Sequence, residues 1–253
     1  MSYDFTSIWI IGASTGIGRA VAEKLASQGV NVAASARSED KLKELEAAFP
    51  DHIKAWPVDV TDTAALNAMA ADIDTAYDGL GCMMYCAAAW EPTNAQDVDP
   101  ERFARNIAVN VMGAVNALAA IGAKMEQRRA GRLAIVSSVA GYSGLPNAAE
   151  YGTTKAALTH MCESLKFKYD QAGVVMQVIT PGFVKTQLTD KNEFPMPFII
   201  SAQKAAEYIC EGFKSRGFEI TFPKRFTFML KFLRVLPYPL YFWLVGKTTQ
   251  GKA

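Results

Sequence analysis

Seven short apolar runs alternate with six stretches of helical periodicity along this chain. The runs read as strands over 7–12, 30–35, 53–58, 81–87, 132–138, 174–180 and 218–222. Apolar residues at helical spacing mark 16–28, 39–48, 62–77, 101–128, 151–171 and 201–215. A strand that is apolar throughout must be covered on both faces, and a helix between strands returns the chain so that they run parallel. The rhythm predicts one α/β domain over 1–253: a doubly wound sheet of about seven parallel strands with helices on both faces. Ser38 and Thr61 stand where the second and third helices begin and read as their N-caps. No repeat, low-complexity tract or linker breaks the pattern.

At 253 residues the chain has ample length for a large core. Half the residues are apolar and the net charge is +1, which gives no electrostatic case for nucleic acid or acidic partners. The first residues, Met1 to Ser7, lack a basic stretch followed by an apolar one, so no secretory signal is expected and the expected location is cytoplasmic. Cys82, Cys86, Cys162 and Cys210 form no Cys-x2-Cys pair and lie in apolar segments, so buried free thiols are expected. With His52 and His160 as the only histidines, no metal site is expected.

Three places carry chemistry. Ile8 to Gly18 reads as a strand, a glycine-rich turn and the start of a helix. Gly12, Gly16 and Gly18 allow a tight turn that points a helix N-terminus at an anionic phosphate group. Arg132 to Ser138 ends a second strand, and so puts the Ser138 hydroxyl at the carboxyl edge of the sheet, where ligands bind in open α/β folds. Tyr151 and Lys155 are four apart and leave one face of a helix. A free phenol has a pKa of about 10, and a neighbouring cation lowers it. Taken alone, each feature has an ordinary reading as well: a helical Tyr–Lys pair, a loop cap, a polar contact.

Together these residues resemble the short-chain dehydrogenase/reductase family, over roughly residues 5 to 222. The family's glycine motif is matched by Ile11-Gly12-x3-Gly16-x-Gly18, and its Asn-Ser-Tyr-Lys tetrad by Asn110, Ser138, Tyr151 and Lys155. Asp59 resembles the residue that meets the adenine ring, and Pro181-Gly182 the turn after the sixth strand. The resemblance implies a Rossmann-type domain that moves a hydride between a nicotinamide and a carbonyl or alcohol carbon. The implied cofactor-binding set is Gly12, Ser14, Gly16, Ile17, Gly18, Arg37, Asp59, Val60, Ala87, Pro181, Gly182 and Val184, with Tyr151 and Lys155. In the implied mechanism Tyr151 is the general acid or base. Lys155 lowers its pKa and holds the ribose, Ser138 bonds the substrate oxygen, and Asn110 keeps a water in a proton relay. The implied assembly is a homodimer or homotetramer. The sequence departs from the pattern in two places: Ile11 replaces a Thr, and Tyr85-Cys86-Ala87-Ala88 replaces Asn-Asn-Ala-Gly.

Cofactor choice rests on the end of the second strand. NAD sites place an acid there for the ribose 2′-hydroxyl, whereas an Arg accommodates a 2′-phosphate. The acid position is Ala36 and the next residue is Arg37, which favours NADP over NAD. Ser14 is within reach of the same phosphate, while Thr15 stands where NADP enzymes often carry a base.

Two rival readings stay open at this point. Gly12-Ala-Ser-Thr-Gly16 also fits the nucleophile elbow of a serine hydrolase, but that reading leaves Ser138, Tyr151 and Lys155 without a role. A catalytically silent NADP-binding sensor or scaffold is the other. The segment Phe183 to Ile200, with Phe183, Leu188, Phe194, Met196, Phe198, Ile199 and Ile200, reads as a loop over an apolar pocket and suggests a hydrophobic small-molecule substrate. Residues 224–245 read as one helix that packs on the body beside that pocket. Its aromatic residues are interleaved with Lys224, Arg225, Lys231 and Arg234, which leaves peripheral membrane contact as an alternative.

Overall fold

The computed structural model describes residues 3–91, 98–191 and 196–249. Phe194, assigned above to the loop over the pocket, lies outside them. The strands are β1 (Ser7–Ile11), β2 (Asn31–Ser35), β3 (Ile53–Ala55), β4 (Cys82–Tyr85), β5 (Arg132–Val136), β6 (Val175–Pro181), β7 (Val184–Lys185), β8 (Ile200–Ser201) and β9 (Glu219–Phe222). The helices are α1 (Gly16–Ala26), α2 (Glu39–Ala48), α3 (Thr63–Ala76), α4 (Pro100–Asn106), α5 (Gly113–Arg128), α6 (Ala149–Gln171), α7 (Ala202–Phe213), α8 (Lys224–Arg234) and α9 (Tyr238–Thr249).

Seven parallel strands form one sheet in the order β3-β2-β1-β4-β5-β6-β9. The order reverses between β1 and β4, which opens a crevice at the carboxyl edge there. The unbroken apolar run of β1 is explained by its two faces. Ile8 and Ile10 pack with α1, α2 and α7, while Trp9 and Ile11 pack with α3, α5 and α6. Helical Pro100–Arg128 is long and apolar enough to cross a membrane. Ala114, Ala117, Leu118, Ile121 and Met125 are buried in the second of those clusters, so this stretch serves as a core helix.

Three local expectations are corrected, and Ser38 is met as a cap position. The helix expected over 101–128 is interrupted by a π-helical segment, Ile107–Met112. The α3 cap is Asp62, whose side chain accepts from the Ala65 amide, because the Thr61 amide and hydroxyl are turned onto Asp59. Ser38 holds the N-cap position of α2 without a side-chain bond. The tail forms two helices, because Pro237 cannot extend α8 and restricts Leu236 before it. A small parallel pair, β7 with β8, was not foreseen; it ties Val184 to Ile200 and Lys185 to Ser201.

Candidate active site

The cleft at the carboxyl edge begins with the turn after β1. The Gly12 and Ala13 amides both donate to the Ser35 carbonyl, at 2.7 and 3.0 Å. Gly12 has φ +100°, and a methyl on it would lie 2.5 Å from the Ala87 amide nitrogen. A methyl on Gly18 would lie 2.1 Å from the Gly12 carbonyl oxygen. Only hydrogen fits at either point, so the turn closes tightly and the first amides of α1 face the cleft. These amides suit an anionic phosphate.

The opposite wall comes from β5 and α6. Lys155 is buried, and its ammonium donates to the Val136 carbonyl at 2.8 Å. The Ser137 hydroxyl donates to the Lys155 carbonyl at 2.8 Å, and Gly141 lets the 139–141 turn rest on the α6 backbone at Lys155. At the start of α6, the buried Glu150 receives a bidentate bond from Arg102 at 2.8–2.9 Å. These ties fix the face of α6 that carries Tyr151 and Lys155. Ser138 lies beside them in the cleft, close enough to the Tyr151 phenol to favour its charged form.

Burial pushes the Tyr151 phenol up to about 12, with the Ser138 hydroxyl pulling the other way and Cys86 adding to the rise. Burial also draws the Lys155 ammonium down to about 8. This corrects the expectation that Lys155 brings the phenol below its usual value. Both groups are desolvated together, and the ammonium lies 5.4 Å from the centre of the Tyr151 ring.

The cleft gathers Gly12, Ser14, Gly16, Ile17, Arg37, Asp59, Val60, Ala87, Ser138, Tyr151, Lys155, Pro181, Gly182 and Val184. Two expected residues stand behind it. Gly18 shapes the turn from the second row. Asn110 is buried in the π segment, where its side chain accepts from the Ala89 amide (2.6 Å) and donates to the Ala89 carbonyl and the Thr154 hydroxyl (both 3.0 Å). With its amide so committed, the Asn110 side chain positions neighbouring backbone rather than facing the cleft. Asp59 is held below the usual carboxylate range by the Thr61 amide, then the Thr61 hydroxyl, with Arg37 adding attraction.

Several residues were missed. Ser137 anchors α6, although its place next to Ser138 was visible. Cys86 lines the cleft, and its thiol meets the Gly18 amide. Tyr85 donates its hydroxyl to the Val109 carbonyl in the π segment, and Gly113 leaves room for that hydroxyl. Thr186 and Thr189 also border the cleft.

Comparison with known proteins decides the family. The model for "short chain dehydrogenase" matches residues 6–195. The chain belongs to the short-chain dehydrogenase/reductase family. It is 36% identical over 235 residues to an uncharacterized oxidoreductase of Myxococcus xanthus, which covers 92% of this chain and 93% of that one. A short-chain dehydrogenase/reductase of Burkholderia phymatum, solved in complex with NAD, shares the fold with TM-score 0.81 at 21% identity. That match covers 91% of this chain and 93% of the other. ElxO, solved with NADP bound, matches with TM-score 0.77 at 21% identity over 86% of this chain and 97% of its own. Family membership makes the chain an oxidoreductase and leaves the serine hydrolase reading without support.

Proposed function

We propose that this oxidoreductase interconverts a carbonyl and an alcohol on a hydrophobic substrate, uses NADP, and moves the proton through Tyr151. The observation that carries the reading is the meeting of Ser138, Tyr151 and Lys155 on one wall of the cleft, opposite the glycine turn. A silent sensor needs the turn but has no use for that wall.

The residues present fit a dinucleotide. The turn at Gly12 and Gly18 is a cradle that a methyl would fill, and the α1 amides suit a pyrophosphate. Arg37, exposed at the end of β2 with Ala36 before it, suits a 2′-phosphate. Asp59 and Val60 suit the adenine, and Lys155 the ribose hydroxyls. Hydride donation and acceptance are the chemistry that a nicotinamide supplies when bound.

Ser138 holds the substrate oxygen. Tyr151, protonated across neutral pH, gives that oxygen a proton in reduction, and its phenolate takes one from the alcohol in oxidation. Phe183, Phe198 and Phe226 stand as a ring cluster beside Gly182, with centroids 5.6 and 5.8 Å from Phe226, and favour an apolar substrate.

A panel of hydrophobic ketones and alcohols, run with NADPH and NADH, tests the reading. Turnover with tighter binding of NADPH is expected. Equal affinity for the two cofactors would overturn the NADP assignment, and NADPH binding without turnover on any member would favour the sensor.

A further inference from the structure

We infer that α8 and α9 dock this protein on an anionic lipid bilayer, with the mouth of the cleft beside the contact. Each helix has one buried face. Phe226 and Leu230 of α8 pack with Val139 and Tyr142, Thr227 is buried, and the Tyr241 hydroxyl of α9 donates to the Gly144 carbonyl at 2.7 Å. The other faces carry large apolar side chains into solvent: Phe228 and Phe232 on α8, Val235 just past its end, and Leu240, Phe242 and Trp243 on α9. Phe232 and Phe242 are each 63% exposed, far beyond the scattered single exposures of an ordinary surface. The exposed α8 residues recur at helical spacing, so α8 is apolar on its exposed face as well as on its buried one.

Charge selects the occupant. From Pro223 to Thr249 the chain has no Asp or Glu, and it has Lys224, Arg225, Lys231, Arg234 and Lys247. Lys231 is used internally, against Glu219. Among the described residues, Lys224, Arg225 and Arg234 pair with no acid. Bases framing exposed aromatics match a bilayer surface, where acyl chains take the rings and anionic headgroups take the cations. Trp243 with Lys247 over its ring at 4.1 Å is an amphipathic pair suited to the interface. A second copy using the same face would set like charges against each other, because a two-fold contact pairs a patch with itself.

The face continues to the cleft. Phe198, exposed, lies against Phe226, and Phe226 abuts Gly182 on the cleft wall. A substrate dissolved in the bilayer therefore reaches the cleft along apolar side chains. This last step rests on the proposed substrate class; the docking does not.

The test is flotation of the full chain with phosphatidylcholine vesicles, with and without phosphatidylglycerol. Binding is expected with phosphatidylglycerol and is expected to weaken with salt. At about fivefold per base near an anionic surface, Lys224→Gln, Arg225→Gln and Arg234→Gln together should lower partitioning roughly 10²-fold. Phe232→Ser with Trp243→Ser, both exposed, should abolish it while circular dichroism stays that of the parent. Brominated lipid should quench the parent's fluorescence, and Trp243→Phe should remove that quenching. A parent chain that stays in the aqueous layer at low salt would overturn the proposal. So would equal binding by the serine variant, or a parent dimer that this variant dissociates without any vesicle binding. None of these readouts depends on turnover, so they fail independently of the proposed reaction.

Discussion

The two edges of the sheet each bury a long cation and treat it in opposite ways. At the amino edge, Arg132 is 1% exposed, and its guanidinium is fully engaged. It forks onto Asp4 at 2.9 Å, donates to the Ser215 carbonyl at 3.0 Å, and bonds the buried Gln177 side chain. At the carboxyl edge, Lys155 is 2% exposed, has the Val136 carbonyl as its hydrogen-bond acceptor, and meets no carboxylate among the described residues. Burying a charge costs several kcal/mol unless it is paired and hydrogen-bonded. The Arg132 site meets that condition, and the Lys155 site leaves two of three ammonium protons for something else. The difference teaches that a saturated buried charge marks structure, and an unsaturated one at a strand end marks chemistry.

Substitutions can break this contrast. The largest effect expected is on turnover: Tyr151→Phe should lower kcat/KM by at least about 10²-fold, the scale of general acid–base catalysis, and leave the unfolding midpoint in urea nearly unchanged. Turnover like the parent's would remove Tyr151 from the mechanism. Arg132→Met should do the reverse. It leaves the buried Gln177 side-chain oxygen and the Asp4 carboxylate without their guanidinium donor, so it should lose on the order of 3 kcal/mol in urea unfolding while kcat/KM of the folded fraction holds. A fall in turnover without a fall in stability would contradict the division between edges. The smallest effect is expected at the rim of the cleft. Arg37→Ala removes a charge-assisted contact worth about 1.5–3 kcal/mol and should narrow the NADPH-over-NADH preference roughly tenfold or more, read as the ratio of dissociation constants.

Much of the carboxyl edge was legible because its residues act through spacing. Gly12 and Gly18 announce a close turn, and Tyr151 and Lys155 announce a shared helix face. Other features depend on what lies across space. The π segment at Ile107–Met112 has no period of its own within six residues, and it is held by Tyr85, which the chain places far upstream. Asn110 matched a motif, yet its side chain is taken by Ala89 and Thr154. The Tyr151 proton affinity was misjudged because the Lys155 charge is near in sequence, whereas the desolvation that outweighs it comes from the fold. The break between α8 and α9 was readable from Pro237, since proline interrupts a helix as surely as it interrupts a membrane span.

Unfolding free energy against pH, for the parent and for Lys155→Met, tests the contrast most directly. In the folded chain burial draws the Lys155 ammonium down to about 8 from its ordinary 10.5, so between these values the unfolded chain binds more protons. The Lys155 penalty, read as the difference in stability between Lys155→Met and the parent so that the raised cysteines and tyrosines of both proteins cancel, should therefore be complete below about 8 and gone above about 10.5. At pH 7 Lys155→Met should be more stable than the parent by on the order of 1–3 kcal/mol, converge with it at the alkaline end, and turn over no substrate. A methionine variant that is less stable than the parent at pH 7, or a difference between the two that does not change across the window, would mean that Lys155 is a structural charge like Arg132.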